Sequence, residues 1–331
     1  MTKNIETLKA GSLFAGIGGF DIGLKEAGIP TLWAVDNNEY AQMTYQHNIS
    51  DTNYILENIQ GIRASALEPV DILAAGFPCQ SFSMAGARKG FDDERGMLFY
   101  ELTRIITEFK DRRPAVIFFE NSPNLRVGDN GTWFFTVMKE IRKAGYWFRN
   151  SNAEEIDVFD VTELPQKRNR LYLVGFATNK FNNGRFVFPT KKSRRKKDIT
   201  KYIDFYTRQD DSYYLNEENR YCRMINEKRD NPFSIYQLRK FLVRVKNVNE
   251  CPTLTANMGA GGHNVPFIFN NGNLRKLTEK ECLNLQGFPA EFEFPDSVPR
   301  AQRYVQAGNA VCPKVVKLIV EQIKEKIREV N

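Results

Sequence analysis

Five short apolar runs punctuate the first 176 residues: Ser12–Ala15, Thr31–Val35, Asp71–Ala75, Ala115–Phe119 and Leu171–Phe176. They are too short for buried helices and continuous rather than alternating, the pattern of parallel strands covered on both faces. Between them, Phe20–Ala27 and Gly96–Phe109 read as helices, the first ending near Gly28 and Pro30, the second near Arg113-Pro114. Strand, helix, strand in this order predicts an α/β fold: a mostly parallel sheet with helices on both faces. At 331 residues the chain can bury such a core and carry a smaller domain besides.

The texture changes after Phe176. From Thr178 to Leu274 there are 18 Lys and Arg against 9 Asp and Glu, leaving 29 basic against 31 acidic residues elsewhere. That segment therefore carries +9, and the rest of the chain −2, so the whole basic excess of +7 sits in one middle segment. A polyanionic partner explains that concentration, as does a solvated loop region in a lysine-rich proteome. Lys191–Lys197 holds six basic residues in seven, and Cys251–Asn273 has no charge and many Gly and Asn. The segment reads as a separate recognition domain of strands and loops, giving an expected division into 1–177, 178–274 and 275–331. In the last part, Thr278 and Glu281 form a capping-box pattern before a helix over Leu277–Gln286. Apolar positions at 315, 316, 319, 320, 323 and 327 fall on one face of a helix over Pro313–Val330.

The five cysteines are scattered with no Cys-x-x-Cys pair, and there are two histidines. That argues against a disulfide framework and a zinc site, so no metal is expected. No apolar run is long enough for a membrane span, and Met1–Gly11 lacks the apolar stretch of a signal peptide, so a soluble protein of the cytoplasm is expected.

Ser12-Leu-Phe-Ala-Gly-Ile-Gly-Gly-Phe20 is a strand running through glycines into a helix. Such a turn is either tight packing or a place where a ligand approaches the backbone, as in Rossmann-like sheets. Its Gly-x-Gly-Gly spacing departs from the dinucleotide pattern. Asp36, at the end of the second run, is either a ribose ligand or a helix cap. Cys79, after Gly76-Phe-Pro78 at a strand end, is either a nucleophile or a small buried hydrophobe. Phe118-Phe-Glu120-Asn121 also ends an apolar run, and Gln166-Lys-Arg168-Asn-Arg170 precedes another. One thiol, one carboxylate and two guanidiniums are thus expected along one sheet edge.

In this order the motifs resemble those of the bacterial cytosine-C5 DNA methyltransferases of restriction-modification type. The resemblance takes in Phe14-Ala-Gly-Ile-Gly-Gly, Pro78-Cys79-Gln80, Glu120-Asn121, Gln166-Lys-Arg168-Asn-Arg170, Arg275-Lys-Leu-Thr-x-x-Glu281 with Gln286-Gly-Phe-Pro289, and Gln306-x-Gly308-Asn309-Ala-Val311. It implies methyl transfer from S-adenosylmethionine to carbon 5 of a cytosine flipped out of duplex DNA, through a covalent adduct between Cys79 and carbon 6. Arg168 and Arg170 then favour the thiolate and hold the base, and Glu120 bonds its ring nitrogen and amino group. Phe14, Gly16, Ile17, Gly18, Asp36, Asn58, Ile59, Pro78, Leu98 and Asn309 line the cofactor pocket. The stretch Gln80–Arg95 resembles the loop that closes on DNA. Residues 178–274 fall where the family keeps its target-recognition domain.

Gln80, Ser83, Arg95, Thr253 and Thr255 are the expected DNA contacts, with Gln237, Arg239, Lys240 and Arg244 as base-reading candidates. The glycines of Gly259–Gly262 are read as permitting close approach to DNA. A monomer is expected, with a cognate restriction endonuclease acting on the same site as a possible partner. Ser122 follows the acid motif where the family usually has Val, and Asn37 and Asn58 replace an aromatic and an acidic residue. The rival readings are a tRNA cytosine-C5 methyltransferase with the same core, a catalytically dead DNA-binding relative, and a nucleotide-dependent oxidoreductase.

Overall fold

A computed structural model describes residues 7–78, 94–190, 196–239, 242–260 and 264–329. Cys79, Gln80 and Ser83, most of the expected closing loop, Lys240 and Gly261–Gly262 lie outside them. In chain order the first elements are β1 (Ala10–Leu13), α1 (Gly19–Glu26), β2 (Thr31–Asp36), α2 (Glu39–Asn48), β3 (Asn53–Leu56), β4 (Ile72–Ala75), α3 (Glu94–Glu108), β5 (Val116–Asn121), α4 (Asn124–Val127) and α5 (Thr132–Lys143). Then come β6 (Tyr146–Trp147), β7 (Ala153–Asp157), α6 (Val158–Val161), β8 (Asn169–Ala177), α7 (Arg220–Asn226), β9 (Tyr236–Arg239), β10 (Leu242–Val245), β11 (Phe267–Asn270), β12 (Asn273–Lys276), α8 (Glu279–Gln286), α9 (Arg300–Asn309) and α10 (Pro313–Arg328).

The chain divides into two compact units. One takes Met1–Ile156, Asn169–Thr190 and Pro313–Asn331; the other takes Asp157–Arg168 and Lys191–Cys312. Compactness thus assigns 157–168 and 275–312 to the same unit as 191–274, and leaves 178–190 in the first.

In the first unit, eight strands form a sheet in the order β3-β2-β1-β4-β5-β8-β6, with β7 also against β8. Pairing among β1 to β5 is parallel. All of β1, β4 and β5 is buried, as the unbroken apolar runs require. Along α3, Phe99, Leu102, Ile105 and Ile106 are buried at helical spacing, as is Phe109 just after it, and α10 buries the six apolar positions expected of it.

One expectation is corrected. The run Leu171–Phe176 lies in β8, which is antiparallel to β5, not parallel. Because β6 is in turn antiparallel to β8, β6 runs parallel to β5. The α5 crossover therefore delivers a parallel strand one position too far, and β8 fills the gap from the opposite direction.

The second unit holds a four-stranded antiparallel sheet, β10-β9-β11-β12. Tyr236, Leu238, Phe267, Phe269 and Leu274 from this sheet enclose Cys222 and Ile225 of α7. A separate apolar cluster includes Leu254, Met258, Leu277, Leu285, Tyr304 and Ala307. Among the described residues no helix is long and apolar enough to cross a membrane, and no group of side chains could hold a metal.

Candidate active site

The loop after β1 turns on three left-handed residues: Phe14 at φ 55°, Gly16 at φ 54° and Gly18 at φ 89°. A Cβ added at Gly16 would meet nothing within 4 Å, so the backbone there borders open space. Asp36, at the tip of β2, accepts from Gly16 N at 2.9 Å and from Asn38 N at 3.0 Å. Burial pushes its carboxyl upward, and the N–H groups of Gly16, Asn38 and Asn37 oppose that push. Asp36 is therefore not the cap of α2; Asn38 is, accepting from Ala41 N. An open glycine backbone beside a carboxylate at a strand tip suits a ribose and adenine, so these residues fit S-adenosylmethionine.

The other expected pocket residues vary. Ile17 and Ile59 are buried. Pro78 and Leu98 are half-buried, whereas Asn58 is exposed with its side chain accepting from Gln60 N at 3.1 Å. Asn309 is exposed at the end of α9 in the second unit.

The acid and one of the arginines come together. Glu120 and Arg170 sit on neighbouring strands, where β5 pairs with β8, and Arg170 Nε lies 3.0 Å from Glu120 Oε1. Asn121, read in the sequence only as part of the acid motif, is a joint that sequence reasoning missed. Its Nδ2 donates to Phe77 O at 3.0 Å, and its Oδ1 accepts from Ser122 N at 2.7 Å. The acid strand is thereby tied to the backbone two residues before Cys79. Phe77 is packed against Phe99 and Phe119, which fixes that backbone from below. The described cysteines at 222, 251, 282 and 312 are all buried and unbridged. Burial pushes the thiols of Cys251 and Cys282 up, the opposite of what a nucleophile needs.

Arg168 is differently employed. It is buried in the second unit, and its guanidinium donates to Leu254 O at 2.8 Å, Gly308 O at 3.1 Å and Ala310 O at 2.9 Å. A guanidinium that bonds three carbonyls braces the segments that carry them. Gln166 beside it donates to Leu285 O and Gln286 Oε1, each at 3.0 Å, and accepts from Leu254 N. Arg275 and Glu281 meet through two bonds of 2.7 and 2.8 Å, and Glu281 also closes the expected capping box with Thr278.

The expected DNA contacts are affected too. Thr253 Oγ1 donates to Lys167 O at 2.6 Å, so its proton is not available to a phosphate. Thr255 is half-buried and makes no side-chain cap bond. A Cβ at Gly308 would stand 2.1 Å from the Thr255 carbonyl carbon, and one at Gly259 would stand 2.4 Å from Ala301 O. Gly259 therefore serves close packing on α9. Arg239 and Arg244 are exposed on the β9–β10 hairpin, whereas Gln237 is buried. Arg95 falls in the first turn of α3.

Comparison with known proteins bears on this arrangement. A family model for C-5 cytosine-specific DNA methylases matches residues 8–325. The type II methyltransferase M.Bsp6I of Bacillus sp. strain RFL6 is 39% identical over 320 residues, covering 96% of this chain and 98% of that protein. The type II methyltransferase M.HaeII of Haemophilus aegyptius is 32% identical over 307 residues, covering 93% and 90%. Among solved structures, Spodoptera frugiperda DNMT2 aligns with a TM-score of 0.71 at 20% identity, covering 96% of this chain and 99% of that one. The Entamoeba histolytica methyltransferase EhMeth aligns with a TM-score of 0.72 at 18% identity, covering 97% and 98%. These last two likenesses speak for the fold alone.

Proposed function

Since the chain belongs to the C-5 cytosine-specific DNA methylases, we propose that it methylates a flipped-out cytosine within a short specific duplex sequence, through a covalent adduct with Cys79. The family and fold imply S-adenosylmethionine as methyl donor and DNA as substrate. When bound, S-adenosylmethionine supplies an electrophilic methyl group on a sulfonium. Asp36 accepts the ribose hydroxyls, and the open backbone at Gly16 lets the adenosine lie close.

The Cys79 thiolate adds to carbon 6 of the cytosine, breaking the ring's aromaticity and placing electron density on carbon 5. Carbon 5 takes the methyl group, a base removes the carbon-5 proton, and elimination returns the thiolate. Carbon 6 is shielded inside a stacked duplex, which is why the cytosine must leave the stack. Glu120 bonds the ring nitrogen and amino group as charge develops. Arg170 fixes the Glu120 carboxyl and holds the ring oxygen. Arg168 braces Leu254 and the end of α9. Asn121 keeps the backbone before Cys79 at a set height against Glu120.

The observation that carries this reading is the Glu120–Arg170 pair on a strand that Asn121 ties to Phe77. Relatives described as type II methyltransferases favour duplex DNA over tRNA. They also favour a cognate endonuclease that cuts the same site. We take the enzyme to act as a monomer. Bisulfite sequencing of plasmid DNA from cells expressing the chain tests the reading. Protected cytosines confined to one short sequence are expected; an unmodified plasmid contradicts it.

A further inference from the structure

An arginine on α3 grips the loop that follows β3. The Arg104 side chain is 27% exposed, and its Nη2 donates to Ile59 O and Ile62 O, each at 3.0 Å. Its Nε donates to Glu101 at 2.7 Å and its Nη1 to Glu108. The other Glu108 oxygen accepts from Ala64 N at 3.1 Å. The helix therefore holds the backbone of 59–64 at three points, two carbonyls through Arg104 and one amide through Glu108. Ion pairs at i,i+3 and i,i+4 alone would steady α3. They do not require a guanidinium turned onto a segment 42–45 residues away.

That segment leads directly from the tip of the sheet read above as the methyl-donor site. Leu56, the last residue of β3, is the register partner of Asp36, and Glu57 N donates to Asp36 O at 3.0 Å. Asn58 then opens a tight turn, closed by Gly61 N on Asn58 O at 2.8 Å. The turn carries Asn58 and Ile59, two of the expected pocket residues. A third, Leu98, lies on α3 six residues before Arg104. Ile59 and Ile62 belong to one apolar cluster, and Leu98 packs against it. Arg104 thus joins two elements that both carry expected pocket residues.

We propose that Arg104 is a positioning residue for the methyl donor, mooring the Asn58–Ile62 turn to α3 so that the turn keeps its place beside the Asp36 carboxylate. The inference rests on the reading of Asp36 and the Gly16 backbone as the donor site. A guanidinium suits this task because its planar fork presents five N–H donors at fixed angles, here meeting two carboxylates and two carbonyls. Both carbonyls also have a local partner, Ile59 O in Ile62 N and Ile62 O in Arg63 Nη1, each at 3.2 Å. Loss of the guanidinium therefore leaves the turn folded but unmoored. A donor must then order the turn as it binds, which costs affinity.

The test is calorimetric titration of the whole protein with S-adenosylhomocysteine, well below the unfolding temperature, for wild type, Arg104→Met, Arg104→Lys and Ile141→Val. Arg104→Met keeps an apolar stem and should raise Kd about three- to thirtyfold. Its single-turnover methyl transfer at saturating S-adenosylmethionine should stay within about threefold of wild type, since the loss falls on binding. Arg104→Lys keeps the charge but reaches fewer acceptors, so its Kd should fall between the two. Ile141→Val trims the buried face of α5, away from the turn, and should lower the unfolding temperature with Kd unchanged. A wild-type Kd in Arg104→Met overturns the inference. So does a rise in Kd in Ile141→Val that matches Arg104→Met for the same loss of stability. Should Arg104→Met fail to fold, Arg104→Lys decides by the same comparison. Failure of wild type to bind S-adenosylhomocysteine overturns the donor reading itself, and this inference with it.

Discussion

At the end of β5, Arg170 Nε lies 3.0 Å from Glu120 Oε1, with 11% of the Glu120 side chain and 20% of the Arg170 side chain open to solvent. In the second unit, Arg275 and Glu281 meet with side chains 0% and 7% exposed, and the carboxylate also receives the N–H groups of Thr278 and Asp204. Both are acid–arginine pairs built from family motifs. The first stays partly exposed, as the proposed binding of a base requires, whereas the second turns its groups inward to bind strand, loop and helix start. Family motifs therefore mark two kinds of work, and exposure together with the identity of the partners separates them.

Substitution should split the pairs cleanly. Glu120→Gln is expected to slow single-turnover methyl transfer by about 10²–10⁴-fold, with the unfolding temperature in a calorimetric scan shifted by no more than ~2 °C. Large destabilisation with normal turnover per folded molecule would erase the contrast. Glu281→Ala leaves Arg275 buried without its carboxylate and should lower stability by about 3–5 kcal/mol in denaturant unfolding. An equilibrium curve matching wild type would show that the enclosed pair is dispensable.

Asp21, in the first turn of α1, sharpens the comparison because it is an enclosed acid whose carboxyl faces the hydroxyls of Ser12, Thr31 and Tyr45 rather than a cation. Its carboxyl is raised to about 6, from 3.8 unfolded, so the stability it contributes is complete below 3.8 and lost as pH rises through 6. Asp21→Asn should accordingly be more stable than wild type by at most about 3 kcal/mol at pH 8, with the gain fading towards pH 4. A constant difference across that range would sever the effect from ionisation.

Arg168→Lys is the mildest case. An ammonium cannot reach all three carbonyls, so about 2 kcal/mol of stability should be lost. Methyl transfer by the remaining folded protein should stay within a few-fold of wild type. A loss of turnover comparable to that in Arg170→Lys would return Arg168 to the chemistry.

Much of the fold could be read before any coordinates. The five apolar runs, the Thr278–Glu281 cap and the apolar stripe of the last helix all stand where the sequence put them. The direction of β8 could not be read, because a strand buried on both faces is apolar throughout whichever way it runs. β7, Ala-Glu-Glu-Ile-Asp, and the two-residue β6 carry too little pattern to stand out. The site was legible as a set of residues but not as a set of partnerships. Arg168 and Arg170 are two positions apart and chemically identical, and only the fold turns one to carbonyl oxygens and the other to Glu120. Likewise, the sequence does not show that Thr253 Oγ1 bonds Lys167 O or that Gly259 packs against α9.

The measurement closest to the central claim is covalent trapping. The enzyme is incubated with S-adenosylmethionine and duplex DNA carrying 5-fluorocytosine at the target position, since fluorine cannot leave as the proton does. A denaturation-resistant complex whose DNA-linked peptide contains Cys79, absent in Cys79→Ala, is the predicted result. DNA linked through Cys222, Cys251, Cys282 or Cys312, or methyl transfer that persists in Cys79→Ala, would contradict the account.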